Sequence, residues 1–291
     1  MTKPELVVDA HAALGEGPWW DCRASLLYWL DIRGERLHIF DPDKCADREL
    51  DLESVPGAVV GRSQGGLLMA MKDGFAFVDP ITGAASPICD PEADIPGNRF
   101  NDGKCDSRGR LWAGTMDEAE KEGVGSLYSL DADLSCRRLI SGVGISNGLA
   151  WSADDKTMYY IDTPTRRVDA FDFDVEEGRI SRRRTVIEVP RSVGYPDGMT
   201  IDEEGMLWVA LWEGWGLCRW DPRTGRLLER VDVPVAKATS CAFGGQALDR
   251  LYITTASIGL RPNRSKSQPH AGGLFVMEPG VRGLPAVPFA G

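Results

Sequence analysis

Four polar residues recur at one place in a repeated pattern along this chain of 291 residues: Glu16, Asn101, Asn147 and Asp197. They stand in the turn-like segments GEGP, RFND, ISNG and YPDG, each ten or eleven residues before an apolar run. Two carboxylates and two side-chain amides form an all-oxygen donor set, which suits a divalent cation. The three histidines lie outside these corners, and no HExxH motif is present. We therefore expect one divalent cation (calcium, zinc, manganese, magnesium or iron(II)) at the corners.

Two further features near the corners could contact a substrate. Arg99 precedes Asn101 by two residues, so both side chains point the same way on an extended strand. Its guanidinium could bind a hydroxylated or anionic substrate, or instead pair with a corner carboxylate. Trp212 and Trp215, in the segment ALWEGWG, are the aromatic residues most suited to stack on a sugar face.

The elements that must position these residues are short strands in a repeat. Six segments share an apolar run, a turn and a second apolar run, and the first runs begin at residues 27, 67, 111, 158, 207 and 251. Intervals of 40 to 49 residues, with about four strands each, are the size of a propeller blade. No linker or convincing helical periodicity interrupts the series. The pattern predicts an all-β, six-bladed β-propeller with about four antiparallel strands per blade, forming one domain over residues 1–291.

The propeller also predicts where the corners lie. The innermost strand of each blade lines the axial channel, so equivalent positions should face one another across it. Gly57 and Ser240 occupy the same register in the two remaining repeats. The four polar corner residues should therefore converge at one mouth of the channel.

Bulk composition excludes several classes of partner. A formal charge of −11 and a pI near 4.9 argue against nucleic acid or an anionic membrane as the main partner. The sequence has no secretory signal and no run of about eighteen apolar residues. Seven scattered cysteines without a CxxC pair are typical of reduced thiols, so we expect a cytoplasmic protein.

Over essentially its whole length the sequence resembles the SMP-30/gluconolactonase/regucalcin-like family. The similarity is carried by LGEGPWW, RFNDGKCDSRGRLWAGTM, GISNGLAWSADDKTMYYIDT, YPDGMTIDEEGMLWVA and TSCAFGG, in that order. The resemblance implies a divalent metal held by Glu16, Asn147 and Asp197. It also implies substrate contacts from Arg99 and Asn101, with Asp102 as the acid beside them.

The family includes sugar lactonases, which open aldonolactones to aldonic acids. The resemblance therefore implies a metal-dependent lactonase acting on a small sugar lactone, as a monomer or weak homodimer, with Asp197 or a metal hydroxide as the base. Some members carry a substrate-facing glutamate where this chain has Ala119. Glu118 or Glu120 could replace it, and we assign Glu118 to substrate binding. An organophosphate or aryl ester hydrolase and a non-catalytic calcium-binding protein are the alternative readings.

Overall fold

The structure is a computed structural model that describes residues 2–261 and 266–291, which form six sheets of four antiparallel strands. From inner to outer strand, blade 1 consists of β2 (Gly15–Asp21), β3 (Leu26–Asp31), β4 (Arg36–Asp41) and β5 (Ala46–Asp51). Blade 2 consists of β6 (Pro56–Gly61), β7 (Leu67–Met71), β8 (Gly74–Val78) and β9 (Ala85–Cys89). Blade 3 consists of β10 (Asn98–Cys105), β11 (Leu111–Asp117), β12 (Gly125–Leu130) and β13 (Cys136–Val143).

Blades 4 to 6 follow in the same way. Blade 4 consists of β14 (Ser146–Trp151), β15 (Thr157–Asp162), β16 (Arg167–Asp174) and β17 (Arg179–Glu188). Blade 5 consists of β18 (Tyr195–Ile201), β19 (Leu207–Trp212), β20 (Gly216–Asp221) and β21 (Arg226–Asp232). Blade 6 consists of β22 (Ala238–Gly244), β23 (Arg250–Thr255) and β24 (Leu274–Met277), with β1 (Glu5–Val8) as its outermost strand. The predicted six-bladed β-propeller is confirmed.

The ring is closed by the first strand of the chain. β1 pairs antiparallel with β24, which places Leu6 opposite Phe275. Blade 6 therefore combines the N-terminal strand with three C-terminal strands. Closure of this kind removes the long exposed edges that an open sheet would present.

Burial follows from the packing of one blade on the next. Every residue of β7 is buried, because the middle strands of a blade are covered on both faces. The outer strand β5 exposes four of its six residues, since it forms the circumference. The largest core cluster runs through blades 1, 2 and 3, so the apolar core lies between the blades and leaves the axial channel to other side chains.

In each of three blades, a buried tryptophan donates a hydrogen bond from its indole N–H to an aspartate of the same blade. Trp112 Nε1 donates to Asp106, and Trp208 Nε1 donates to Asp202 at 3.0 Å. In blade 1 the acceptor for Trp29 is Asp47, which also binds His38 Nδ1 at 2.6 Å. The His38 ring stacks on Trp29 at 3.8 Å between centroids. These contacts explain His38 as a structural partner of its blade.

Each inner strand carries a β-bulge at the predicted corner. The pairing register shifts between Glu16 and Trp19, Pro56 and Ala58, Phe100 and Asp102, Asn147 and Leu149, Pro196 and Met199, and Ala238 and Ser240. A bulge bends the strand and redirects the side chains beside it. Each blade therefore has one bulge at the same height along the channel, and the side chains beside these bulges can face one another.

Residues 282–291 form a strap across the face of the ring where the inner strands end. Gly283 N donates to Leu248 O, Phe289 N to Gly61 O, and Ala290 N to Gly109 O, at 2.8 to 3.0 Å. The strap therefore reaches from blade 6 to blades 2 and 3. All seven cysteines are free. Within the described part of the chain, no helix has the length and apolar character needed to cross a bilayer.

Candidate active site

The four polar corner residues line one cavity of about 360 Å³ at the channel end where the inner strands begin. Their side chains are buried, with exposed fractions between 3% for Asn147 and 8% for Asn101. Tyr195 and Trp212, which are paired across β18 and β19, form part of the same wall. The bulges thus bring together residues that are separated by up to 181 positions in the sequence.

The two remaining corners stay out of this cavity. A Cβ at Gly57 would lie 2.4 Å from Phe100 O, so the inner strands of blades 2 and 3 approach too closely for a side chain there. Ser240 packs against Gly198, where an added Cβ would lie 2.1 Å from the Ser240 Oγ. These corners bring neighbouring inner strands together and contribute no ligand.

Glu16 and Asp197 are buried carboxylates with raised pKa values. Burial is the main cause for both, because it disfavours the charged form. Repulsion from Asp197 and then Asp102 adds to the rise in the pKa of Glu16, and repulsion from Asp102 adds to that of Asp197. Among the described residues, no lysine or arginine forms an ion pair with either carboxylate. The site therefore concentrates negative charge that a bound cation would compensate.

A chain of hydrogen bonds fixes the amide of Asn147. Thr163 Oγ1 donates its single proton to Pro196 O at 2.8 Å, so it must accept from Asn147 Nδ2, which lies 2.8 Å away. The opposite end of the amide, Oδ1, accepts one bond from Asn101 Nδ2 at 3.3 Å. One lone pair of Asn147 Oδ1 therefore remains for a further partner.

Asn101 and Arg99 continue this chain. Asn101 Nδ2 also donates to Ser146 O, while its Oδ1 accepts from Arg99 Nη1 at 2.8 Å. Arg99 is 3% exposed, and burial followed by repulsion from Arg33 lowers its pKa to about 10. It therefore remains charged at neutral pH. Its role is an oriented positive charge beside two buried carboxylates.

This donor set fits a divalent cation. Glu16, Asn147 and Asp197 offer two carboxylates and one correctly turned amide oxygen, and such oxygens are what hard cations bind. Three protein ligands would leave positions for water and substrate, as in catalytic metal sites.

Comparison with known proteins identifies the chain's relatives. The family model described as SMP-30/Gluconolactonase/LRE-like region matches residues 14–257. The chain belongs to this family. It is 42% identical over 286 residues to a Bacillus subtilis protein named sugar lactone lactonase YvrE, covering 98% of each chain. It is 39% identical to regucalcin of Xenopus laevis, covering 99% of each.

A solved structure of a relative shows the same architecture. The calcium-binding protein regucalcin from Agrobacterium tumefaciens superimposes with a TM-score of 0.94 at 28% identity, covering 99% of this chain and 97% of the other. The whole ring is therefore common to the family.

Two residues assigned to substrate from the sequence lie outside the cavity wall. Asp102 lies behind it, where Oδ1 accepts from Gly103 N at 2.7 Å and burial raises its pKa. Glu118 is turned away and binds Lys72 Nζ at 3.2 Å. Their predicted contact with substrate stays a prediction, and the structure places neither on the cavity surface.

Glu120 and Glu122 supply the carboxylates that line the cavity from this loop. Glu120 adopts a left-handed conformation with φ of 56° and donates its N–H to Asp117 O. That turn directs the chain over the channel mouth. Sequence reasoning named Glu120 as the alternative to Glu118 and did not consider Glu122 or Thr163.

Proposed function

We propose that the chain is a metal-dependent sugar lactonase that hydrolyses an aldono-1,4- or 1,5-lactone to the aldonic acid. The observation that carries the proposal is the burial of Glu16, Asn147 and Asp197 around one cavity, where neither carboxylate forms an ion pair with a described lysine or arginine. The sugar lactone lactonase named among the relatives supports the same reaction class.

Glu16, Asn147 and Asp197 would hold the divalent cation. When bound, the cation supplies Lewis acidity at the lactone carbonyl and lowers the pKa of water. Asp197 is the proposed general base, and its carboxylate would accept the proton of the attacking water. Its burial raises its pKa and so favours proton acceptance, an effect that the cation opposes.

The other residues orient the sugar. Asn101 Oδ1 retains one lone pair beyond its bond from Arg99, and Glu120 and Glu122 add four carboxylate oxygens to the wall. A neutral polyol donates hydrogen bonds to such acceptors, whereas an aryl phosphotriester has no donor to offer them. This surplus of acceptors favours an aldonolactone over the phosphotriester alternative.

The reaction balances with these groups. The water oxygen forms a bond to the carbonyl carbon while Asp197 takes a water proton. The bond from the carbonyl carbon to the ring oxygen then breaks, and the proton passes from Asp197 to that oxygen. The product is the open hydroxy acid.

The test is a pH-stat screen of γ- and δ-aldonolactones. The chain is stripped with a chelator and reloaded separately with calcium, zinc, manganese, magnesium or iron(II). We expect chelation to abolish proton release and at least one ion to restore it. If the metal-loaded chain opens no lactone of the panel, the proposal is wrong; preference for phosphotriesters by kcat/KM would establish the esterase alternative.

Asp197→Asn tests the proposed base, and the cation content of the variant is measured beside kcat because Asp197 is also a proposed ligand. We expect kcat to fall by roughly 10²-fold or more, since removing a positioned general base costs about that much. Glu203→Gln, on an exposed turn, is the matched control and should keep native kcat. Native turnover in Asp197→Asn would contradict the assigned role.

A further inference from the structure

A second cavity of about 270 Å³ lies at the opposite end of the channel from the proposed active site. Its walls come from the last residues of the inner strands, including Trp20, Trp151, Ile201 and Phe243. The active-site residues come from the first residues of those strands. Because the inner strands run in the same direction around the ring, the two cavities face opposite sides of the molecule.

The strap closes part of this second cavity with apolar groups. Residues 284–287, Leu-Pro-Ala-Val, line it. The backbone bonds that hold the strap to blades 2, 3 and 6 fix this wall. The exposed residues Ser107, Ala153 and Pro285 also line the cavity, so it is open to solvent at their side.

Lys104 brings an ammonium group to these walls, which are mostly apolar and also contain Ser107, Ser152 and Thr200. Lys104 extends from β10 across the channel, and its Nζ donates to Met199 O on β18 at 2.7 Å. An ammonium group has three donors, and this is its single hydrogen bond among the described residues. The side chain is half-buried and lines the cavity. Asp102 attracts it from the side of the active site.

We propose that this second cavity binds a small monocarboxylate with a flat apolar body, such as an aryl-substituted acetic acid. The carboxylate would take the remaining Lys104 donors, and the ring would pack against Trp19, Trp20 and Trp151. The volume lies just below the roughly 300 Å³ at which sites for drug-sized ligands begin, so it suits a single ring.

The charge of the ligand is restricted by the rim. Asp155 is the acid that lines the cavity in the described part of the chain, and it is half-exposed. Its charge disfavours a dianion and leaves the single anion opposite Lys104 as the best match. The active-site cavity is lined by the four carboxylates of Glu16, Glu120, Glu122 and Asp197, whereas this cavity has Asp155 beside mostly apolar walls. The two sites therefore select different ligands, and this inference does not depend on the lactonase proposal.

The probe is phenylacetate, titrated against the intact chain. Tryptophan fluorescence excited near the red edge and ligand-observed NMR both report binding, because three tryptophans line the cavity. We expect saturable binding that phenylacetamide, the neutral isostere, matches only at concentrations at least about tenfold higher. Lys104→Met should weaken phenylacetate binding by at least tenfold.

Two variants control the location. Lys156→Met removes an exposed charge on the same face, outside the lining, and should bind phenylacetate like the native chain. Ala286→Trp fills the cavity from the strap and leaves Lys104 in place, so it should abolish binding; it serves if Lys104→Met does not fold. The proposal is overturned by absence of saturable binding, by equal affinity for the amide, or by native affinity in Ala286→Trp.

Discussion

Replacing Thr163 by valine tests whether the hydrogen-bond chain orients the metal-binding amide. The change preserves shape and removes the hydroxyl that joins Asn147 Nδ2 to Pro196 O. Two buried polar groups then lose a partner. At roughly 1 kcal/mol each, the low end for unsatisfied groups because Thr163 is half-buried, the free energy of unfolding should fall by about 2 kcal/mol.

The larger effect should be on metal affinity. Without Thr163 Oγ1, the Asn147 oxygen keeps its 3.3 Å bond from Asn101, and the amide remains beside Asp197. Loss of such an outer partner typically weakens metal binding by about 10- to 100-fold. We expect about tenfold here, because one orienting bond remains.

The assay is competition for the metal with a fluorescent chelator, beside urea denaturation of the chelated chain. Thr163→Ser retains the hydroxyl and should keep native metal affinity. If Thr163→Val loses stability but binds the cation as tightly as the native chain, the inferred orientation of Asn147 is wrong.

Three further predictions concern the carboxylates of the metal-free site, the contact between two inner strands, and a buried ion pair. Burial raises the pKa of both Glu16 and Asp197, so the folded chain binds more protons than the unfolded one above their ordinary values of 4.5 and 3.8. The Tm of the chelated chain should therefore fall as pH rises above about 4.5, and excess divalent cation should flatten this dependence. Gly57→Ala places a Cβ 2.4 Å from Phe100 O, and urea denaturation should show a loss of about 1–3 kcal/mol. Asp202→Ala removes one of the two carboxylates that bind Arg219 and leaves the buried Trp208 Nε1 and Met206 N without their acceptor, so it should cost about 3 kcal/mol by the same measurement.

Each of these has a clear contrary result. A Tm that rises with pH in chelator would show that the two carboxylates are charged in the folded chain. Native stability of Gly57→Ala would show that the inner strands of blades 2 and 3 separate easily. Additivity of Asp202→Ala with Arg219→Ala would show that the pair contributes nothing.

The repeat was readable from the sequence because its signals are local. Predicted first runs beginning at 27, 67, 111, 158, 207 and 251 correspond to strands that begin at Leu26, Leu67, Leu111, Thr157, Leu207 and Arg250. Apolar runs and turn residues act within a few positions, so each blade could be predicted from its own segment. The family resemblance rests on the same segments.

The strand that completes the ring was not predicted. β1 is four residues long, and its partner β24 lies about 270 residues away in the chain. Nothing in Glu5–Val8 itself indicates which strand it joins. The sequence predicted the blades, and pairing across the whole chain decided how the ring is completed.

The candidate site likewise combines features that the sequence predicted with features that only the tertiary structure decided. Composition and spacing by themselves indicated Glu16, Asn101, Asn147 and Asp197 as one oxygen-rich set, because their register repeats with the blades. Only the tertiary structure decided which glutamate after β11 lines the cavity. That choice depends on one left-handed residue, Glu120, and on the pairing of Glu118 with a lysine from another blade. A backbone torsion and a contact between distant segments are both set by packing, which the order of residues along the chain does not show.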